Sequence, residues 1–359
     1  MATRATPTDI LRMRLHSQRI ASPVGGIAET VRHLLAVQAQ DFAQALWAVG
    51  LRSAGSTRTG VLAALASGEV VRTLPMRGTL HLVPAEDLRW MLTLTGERSL
   101  ASAATRFRDL GLDTQTLERS AEIAINALAG GKQLGRAEFV ALLEQNGISC
   151  EGQRGYHIIF FLTQRCIVCW GPPSGTQQAL VLVEEWIPKQ DAPDRDHALK
   201  EFALRYFTGH GPATVRDFAW WAKLKLSDAR AAILAAGSQL TELSCNDNSF
   251  WIATHEAQLA PTSKGLSGVY ALPGFDEYLL GYQDRTMPLA PEHSQRIVPG
   301  NNGIFLPLIV SRGRVVGTWR RTPRSKASTI EAEHFSEATT AERTGFERAS
   351  RRYQVFAQH

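Results

Sequence analysis

The sequence predicts a mixed α/β fold, mainly helical: three tandem winged helix-turn-helix units followed by a β-rich, barrel-like C-terminal domain. Three observations lead there. The first ~95 residues run through helical patterns into a short hairpin, the order of a winged helix. That order recurs twice further along the chain. From about residue 240, short extended segments separated by glycine and proline replace helical periodicity.

In the first unit (1–95), "ILRMRLHSQRI", "IAETVRHLLAV" and "TGVLAALASGEV" have helical spacing. "VVRTLPMRGTLHLVP" then reads as two strands joined by a turn at Pro75 to Gly78. The second unit (96–187) contains "GRAEFVALLEQNG", a helix with a glycine stop. "RGYHIIFFLTQRCIVCWGP" follows as a helix and a strand closed by Gly171 and Pro172. "GPPSGTQQ" is a turn or linker, and "PKQDAPDRD" (188–196) is the clearest boundary. In the third unit (197–244), "GPATVRDFAWWAKL" has Thr214 as a cap, then a helix whose Phe218, Trp220 and Trp221 face the core, and a second helix from Ser227. The last segment (245–359) holds "FWIATH", "GVYALPGF", "GIFLPLIV" and "RVVGTW", and a polar tail expected to return as a strand and a helix.

Composition excludes several classes. A chain of 359 residues with 44% hydrophobic and 20% charged content supports packed cores. No apolar run reaches the ~18 residues of a membrane span, and no signal core stands at the N-terminus, so a cytoplasmic protein is expected. Four scattered cysteines do not make a disulfide framework. "CIVC" (166–169) has metal-like spacing. It lies in an apolar run without a second pair, so these thiols read as small buried hydrophobes and no metal is expected.

The net charge of +5 becomes informative when located. "SRGRVVGTWRRTPRSKAS" (311–328) carries Arg312, Arg314, Arg320, Arg321, Arg324 and Lys326 with Trp319, and no acid. Such a run is either a solvated face or a nucleic-acid contact.

The least ordinary feature is "LLAVQAQDF" (34–42). Val31, Leu34 and Leu35 form a helical stripe that continues onto Gln38, and Gln40 follows two residues later. Positions two apart diverge on a helix and share a face on an extended segment. From spacing alone, glutamines here would simply satisfy a helix end.

Several segments together carry a resemblance. "LLAVQAQDFAQALWAVGLR", "MRGTLHLV", "GPATVRDFAWWAKL", "LPGFDEYLLGYQDR" and "GRVVGTWRR" stand in the order found in one bacterial family. The chain resembles, over nearly its full length, the winged-helix DNA-binding family that includes the azinomycin-resistance, crosslink-unhooking DNA glycosylases. The resemblance implies three winged-helix units and a β-domain in a C-shape around DNA. It implies hydrolysis of the N-glycosidic bond of N7-alkylguanine, interstrand crosslinks included. It also implies a signature of two glutamines flanking one apolar residue, matched by Gln38-Ala39-Gln40. A sister branch has Asp at the second position; Gln40 stands there in this chain.

The chemistry agrees with that assignment. Glutamine does not titrate, yet its carbonyl oxygen holds a water and sits favourably beside a developing cation. A base alkylated at N7 is already positive and departs neutral, so no general acid is required. Gln38 and Gln40 are therefore the expected catalytic pair, with Asp41 as a carboxylate rival; His81 is either an accessory residue that contacts phosphate or lines the cleft, or a hydrogen-bonded structural histidine. Arg77, Thr79, Arg312, Arg314, Trp319, Arg320 and Arg321 are the expected DNA contacts. Asp276, Glu277, Asp284 and Arg285 read as turn and ion-pair residues at a domain junction, or as a second acid/base or metal site. The motif offers no amine for a Schiff base, so the enzyme is expected to be monofunctional, without a cofactor, and to act as a monomer on double-stranded DNA carrying alkylated or crosslinked guanine. The alternative is a winged-helix transcriptional regulator whose glutamines are structural.

Overall fold

The computed structural model describes residues 3–175, 177–189, 193–259, 267–322 and 329–358. The chain packs as two compact units, Met1–Val61 with Leu199–His359, and Leu62–Ala198.

The first unit opens with β1 (Thr3–Arg4) and α1 (Pro7–Ser17). Thr6 and Asp9 form a reciprocal capping box, and Pro7 fills a position where a missing N–H costs nothing. Next comes α2 (Ile27–Leu34), which stops abruptly. Leu35 adopts φ +64°, and the Ala36 N–H donates to the Leu34 carbonyl at 2.7 Å, forming a tight γ-turn. A left-handed leucine costs on the order of 1–3 kcal/mol, offset here by complete burial of its side chain. The extended pair β2 (Val37–Gln38) leads to α3 (Phe42–Arg52), and α4 (Arg58–Ala66) leads into the second unit.

The second unit holds the hairpin β3 (Val70–Met76) and β4 (Thr79–Pro84), then α5 (Leu88–Asp109), α6 (Thr114–Leu128), α7 (Arg136–Gln145) and α8 (Arg154–Gln164). The hairpin β5 (Val168–Ser174) and β6 (Gln177–Leu182) and the short α9 (Val183–Trp186) complete it. Strands lie in the order β4-β3-β5-β6. Their core includes Phe107, Phe139, Ile158, Phe160, Phe161 and Leu180. Arg77 and Gly78, both at positive φ, make the two-residue turn of the first hairpin.

The first unit resumes with α10 (Arg195–Gly209), α11 (Val215–Trp221) and α12 (Leu226–Ala236), followed by the hairpin β7 (Leu240–Cys245) and β8 (Asn248–Ala253). Then come α13 (Thr254–Leu259), β9 (Val269–Leu272), α14 (Glu277–Leu280), α15 (Ser294–Ile297), β10 (Leu308–Ser311), β11 (Arg314–Thr322), β12 (Thr329–His334) and α16 (Thr340–Gln358). β1 adds in parallel to the edge of β7. β12-β11-β10-β9 form one antiparallel sheet. Helices followed by a hairpin thus occur at three places in the chain order, as the hydrophobic patterning predicts.

Several expectations are corrected. Among the described residues the C-terminal sheet is open, not barrel-like: α16 packs on it, and Trp319 and Tyr353 meet at 4.9 Å. The expected boundary at 95/96 falls inside α5, which continues through Gly96, and that at 244/245 cuts β7. Of "GPPSGTQQ", residues 171–174 end β5 and Gln177 and Gln178 open β6, while Thr176 lies outside the described residues; the ladder shifts register between Trp170 and Pro173, where the prolines need donate no hydrogen bond. Of "PKQDAPDRD", residues 190–192 lie outside the described residues. Trp221 is fully buried but Trp220 only partly, because neighbours on a helix cannot both face one core; Arg285 lies 5.2 Å over the Trp220 ring. No helix among the described residues is long and apolar enough to cross a membrane.

Gly209 is where α10 meets the end of α2. A Cβ there would lie 2.6 Å from the His33 carbonyl oxygen and 2.9 Å from Leu34 Cα. Gly209→Ala therefore pushes on the backbone just before the γ-turn. It is expected to cost about 1–3 kcal/mol, read as a lowered denaturation midpoint.

Candidate active site

The γ-turn at Leu35 releases the chain from helix so that Val37 and Gln38 run extended. Ala39 is completely buried; Gln38 is 7% exposed and Gln40 exposed. The helix thus ends at Leu34, before either glutamine. Asp41 caps α3, its Oδ1 accepting the Gln44 N–H at 3.1 Å. The carboxylate rival thus has a structural task at the helix start.

Behind Gln38 lies a group that patterning did not assign to the site. The Glu277 carboxylate, on a residue only 1% exposed, accepts the Gln38 backbone N–H on Oε1 at 2.9 Å. Its Oε2 accepts the Trp221 indole N–H at 2.9 Å and faces His210 Nε2 at 3.2 Å. His210 is buried, stacked on Tyr206 at 5.0 Å, and its Nδ1 has no hydrogen-bond partner among the described residues. Gly281 admits that ring: a Cβ there would stand 2.6 Å from His210 Cδ2.

Asp276, the preceding residue, makes a two-pronged ion pair with Arg52 at 2.7 and 2.9 Å, with both side chains buried. Gln18 links the two carboxylates' surroundings: Oε1 accepts from Arg52 at 3.0 Å, and Nε2 donates to the Glu277 carbonyl at 3.2 Å and to Tyr282 Oη at 3.0 Å. Tyr282 donates in turn to the His210 carbonyl at 2.7 Å and lies under the Arg14 guanidinium at 3.7 Å. Burial pushes the Tyr282 phenol up to about 12, so it stays a neutral donor. The ion-pair reading of Asp276 is therefore met. Glu277 has a different neighbourhood, and the clue in sequence was an acidic pair amid "LPGFDEYLLGY", where every neighbour is apolar, aromatic or small.

The remaining expected site residues fall elsewhere. In the second unit, His81 has no exposed surface; its ring nitrogens meet the Thr79 carbonyl at 2.8 Å and Arg77 Nη2 at 3.1 Å. These bonds fit the structural reading of His81, a ring bracing its own hairpin. Arg77 and Thr79 are half-buried. In the first unit, Trp319 is 2% exposed and donates to the Leu272 carbonyl at 2.8 Å, a core position that removes it from the DNA contacts. The basic run is divided rather than continuous. Arg312 and Arg314 flank the β10–β11 turn, while Arg320 and Arg321 stand six or more residues along β11, roughly 20 Å away. All four are exposed. Arg320 pairs with Glu331 across the sheet at 2.7 Å, so an acid absent from the run returns on the next strand. Arg324 and Lys326 lie outside the described residues. Cys169 is buried in β5, which drives its thiol pKa well up, as for an inert core cysteine.

An uncharged glutamine pair at and just after a short extended segment, backed by a buried carboxylate and carried by this helix-and-hairpin chain order, points to a class of DNA-processing proteins. The chain belongs to the AlkZ-like DNA glycosylase family: the family model described as "DNA glycosylase AlkZ-like" matches residues 31–356, from α2 through the glutamine pair and Glu277 into α16. It is similar to an "Interstrand DNA cross-link repair glycosylase" of Streptomyces sahachiroi, 28% identical over 303 residues, covering 81% of each chain. Its fold is similar to the solved structure of the Streptomyces sahachiroi DNA glycosylase AlkZ, with a TM-score of 0.81 and 24% identity over 99% of this chain and 97% of that one. The family resemblance carried by the five sequence segments is thereby borne out.

His33, one residue before the end of α2, faces the Ser17 carbonyl at 2.6 Å through Nε2. Burial, reinforced by Arg19, lowers its pKa to about 3. The sign is that of a histidine buried neutral: its contribution is complete above the unfolded value near 6.5 and is lost as pH falls towards 3. His33→Gln keeps a donor for Ser17 without a titrating ring. It should lose less stability than the wild type between pH 7 and pH 4 in urea titrations; parallel losses would contradict the assignment.

Proposed function

We propose that the protein is a monofunctional DNA glycosylase that excises N7-alkylguanine, bulky adducts and interstrand crosslinks included, with Gln38 and Gln40 as its catalytic pair. The observation that carries the proposal is the pair itself, in a member of a glycosylase family: two neutral amides two residues apart, Gln38 ending β2 and Gln40 in the bend just before α3. The three helix-and-hairpin runs are winged-helix units in this reading.

The chemistry follows from the charge of the base. The N9–C1′ bond breaks as the cationic base leaves neutral, and the electron deficit passes to the sugar as an oxocarbenium-like ion. Gln38 and Gln40 jointly hold the attacking water and place carbonyl oxygens near that positive charge. Water adds at C1′, its proton goes to solvent, and an abasic site and neutral alkylguanine result. An undamaged guanine would depart as an anion, and the pair has no acid to offer it. No lysine of the motif is available to form a Schiff base, so the strand stays intact. Because a crosslinked base cannot swing out freely, the substrate is read in a groove and not in a closed pocket. Arg77, Thr79, Arg312, Arg314, Arg320 and Arg321 are the DNA contacts of this reading, with Asp41 supporting the site through its cap on α3.

Incubation with duplex DNA carrying 7-methylguanine or a guanine–guanine crosslink, followed by alkaline cleavage, should reveal abasic sites. Gln38→Ala and Gln40→Ala should each slow their appearance by on the order of a hundredfold, the scale of losing one oriented polar group at a reacting centre. No alkali-labile sites with either substrate would overturn the proposal in favour of a non-catalytic DNA binder. Arg321→Ala should weaken binding for all sequences alike and reduce the slope of log K against log salt by about 0.9. An unchanged slope would turn that end of β11 away from DNA.

A further inference from the structure

We propose that Glu277 is a positioning residue for Gln38, a role that rests on the glycosylase reading above and adds a carboxylate to an otherwise uncharged catalytic motif. Three observations carry it. Glu277 is almost wholly inaccessible, so its oxygens can bond only to the groups packed against them. One of its oxygens binds the backbone N–H of Gln38 itself, in the two-residue strand β2. The other oxygen binds the Trp221 indole N–H, with His210 Nε2 beside it.

The need for a carboxylate, not merely an acceptor, follows from counting donors. Gln38 and Trp221 present N–H groups to different oxygens of Glu277. A carboxylate accepts on both; a carboxamide has one oxygen and one NH2 group, which only donates. In Glu277→Gln, one of the two N–H groups must therefore point at another donor. Turning the amide either way sacrifices one of them, and the loss displaces either the Gln38 backbone or the indole. Removing the competing indole donor changes the count: the amide oxygen then serves Gln38 while its NH2 group donates to His210 Nε2, the other tautomer placing its proton on the unpartnered Nδ1.

That argument yields a test that a purely structural role fails. Single-turnover excision of 7-methylguanine by the full-length protein is measured for wild type, Glu277→Gln, Trp221→Phe and the double variant, with DNA affinity measured in parallel. Glu277→Gln should slow excision on the order of tenfold to a hundredfold, as misplacement of a reacting group does, and leave DNA affinity within about twofold. The double variant should recover to within about threefold of Trp221→Phe alone, a coupling of opposite sign to simple additive damage. Excision by Glu277→Gln at the wild-type rate, or a double variant slower than both single ones, overturns the inference. A readout without activity or substitution accompanies it: the Gln38 amide proton of the wild type, observed by NMR, should lie far downfield and be protected from exchange. A Gln38 amide that exchanges as an exposed one also overturns it. An inactive wild type with a protected, downfield Gln38 amide would instead sink the glycosylase reading, and with it the catalytic meaning of a hydrogen bond that would still stand.

Discussion

Two consecutive buried carboxylates hold both ends of the segment that runs from Gln38 through α3. Glu277 takes the backbone N–H of Gln38 at the start, and Asp276 takes the guanidinium of Arg52 at the far end. Breaking a buried ion pair by removing one partner costs about 3–5 kcal/mol, because a charge is left without a counterpart. The intact pair contributes far less to net stability, and its value lies in specifying one arrangement. α3 cannot slide or rotate without unpairing Asp276, and β2 cannot drift without leaving Glu277 short of a donor. Gln18 ties the two anchors together by bonding to Arg52 and to the Glu277 carbonyl.

The rest of the first unit serves that arrangement. Trp47 in α3 donates to the Ala271 carbonyl of β9 and packs on Tyr353 at 5.3 Å and Phe356 at 5.1 Å, so sheet and final helix fix the helix from its other side. Tyr206, Phe202, Phe218 and Trp221 make the aromatic bed in which His210 lies. Strain at Leu35 is concentrated one turn ahead of the glutamines, where a smooth helix would have pointed Gln38 and Gln40 in divergent directions. In the proposed reading two neutral amides are coherent chemistry: a rigid frame orients weak polar groups toward a substrate that already carries the charge.

Much of this was legible in the chain and some was not, for identifiable reasons. Local rules carried far. The Thr214 cap, the glycine stop after α7, the hairpin turn at Arg77-Gly78 and the return of the tail as β12 and α16 all follow from short-range chemistry. The glutamine pair stood out because it interrupted a hydrophobic stripe, and five ordered segments pointed to the family. Glu277 was not assignable to the site, since its partners lie 239, 67 and 56 residues away and burial, not spacing, gives it meaning. Trp319 misled for the opposite reason: an indole in a basic run looks available until the sheet's packing closes over it. The basic run looked continuous because arginines close in sequence can stand at opposite ends of a strand.

The central claim is that catalysis here relies on the positive charge of the base. It is tested most directly by comparing two substrates of the same shape in the same duplex: 7-methylguanine and its neutral isostere, 7-methyl-7-deazaguanine. Single-turnover release of the first, with no detectable release of the second, is the predicted result. Comparable release of both would mean that the site supplies its own acid, and would contradict the account built on Gln38 and Gln40.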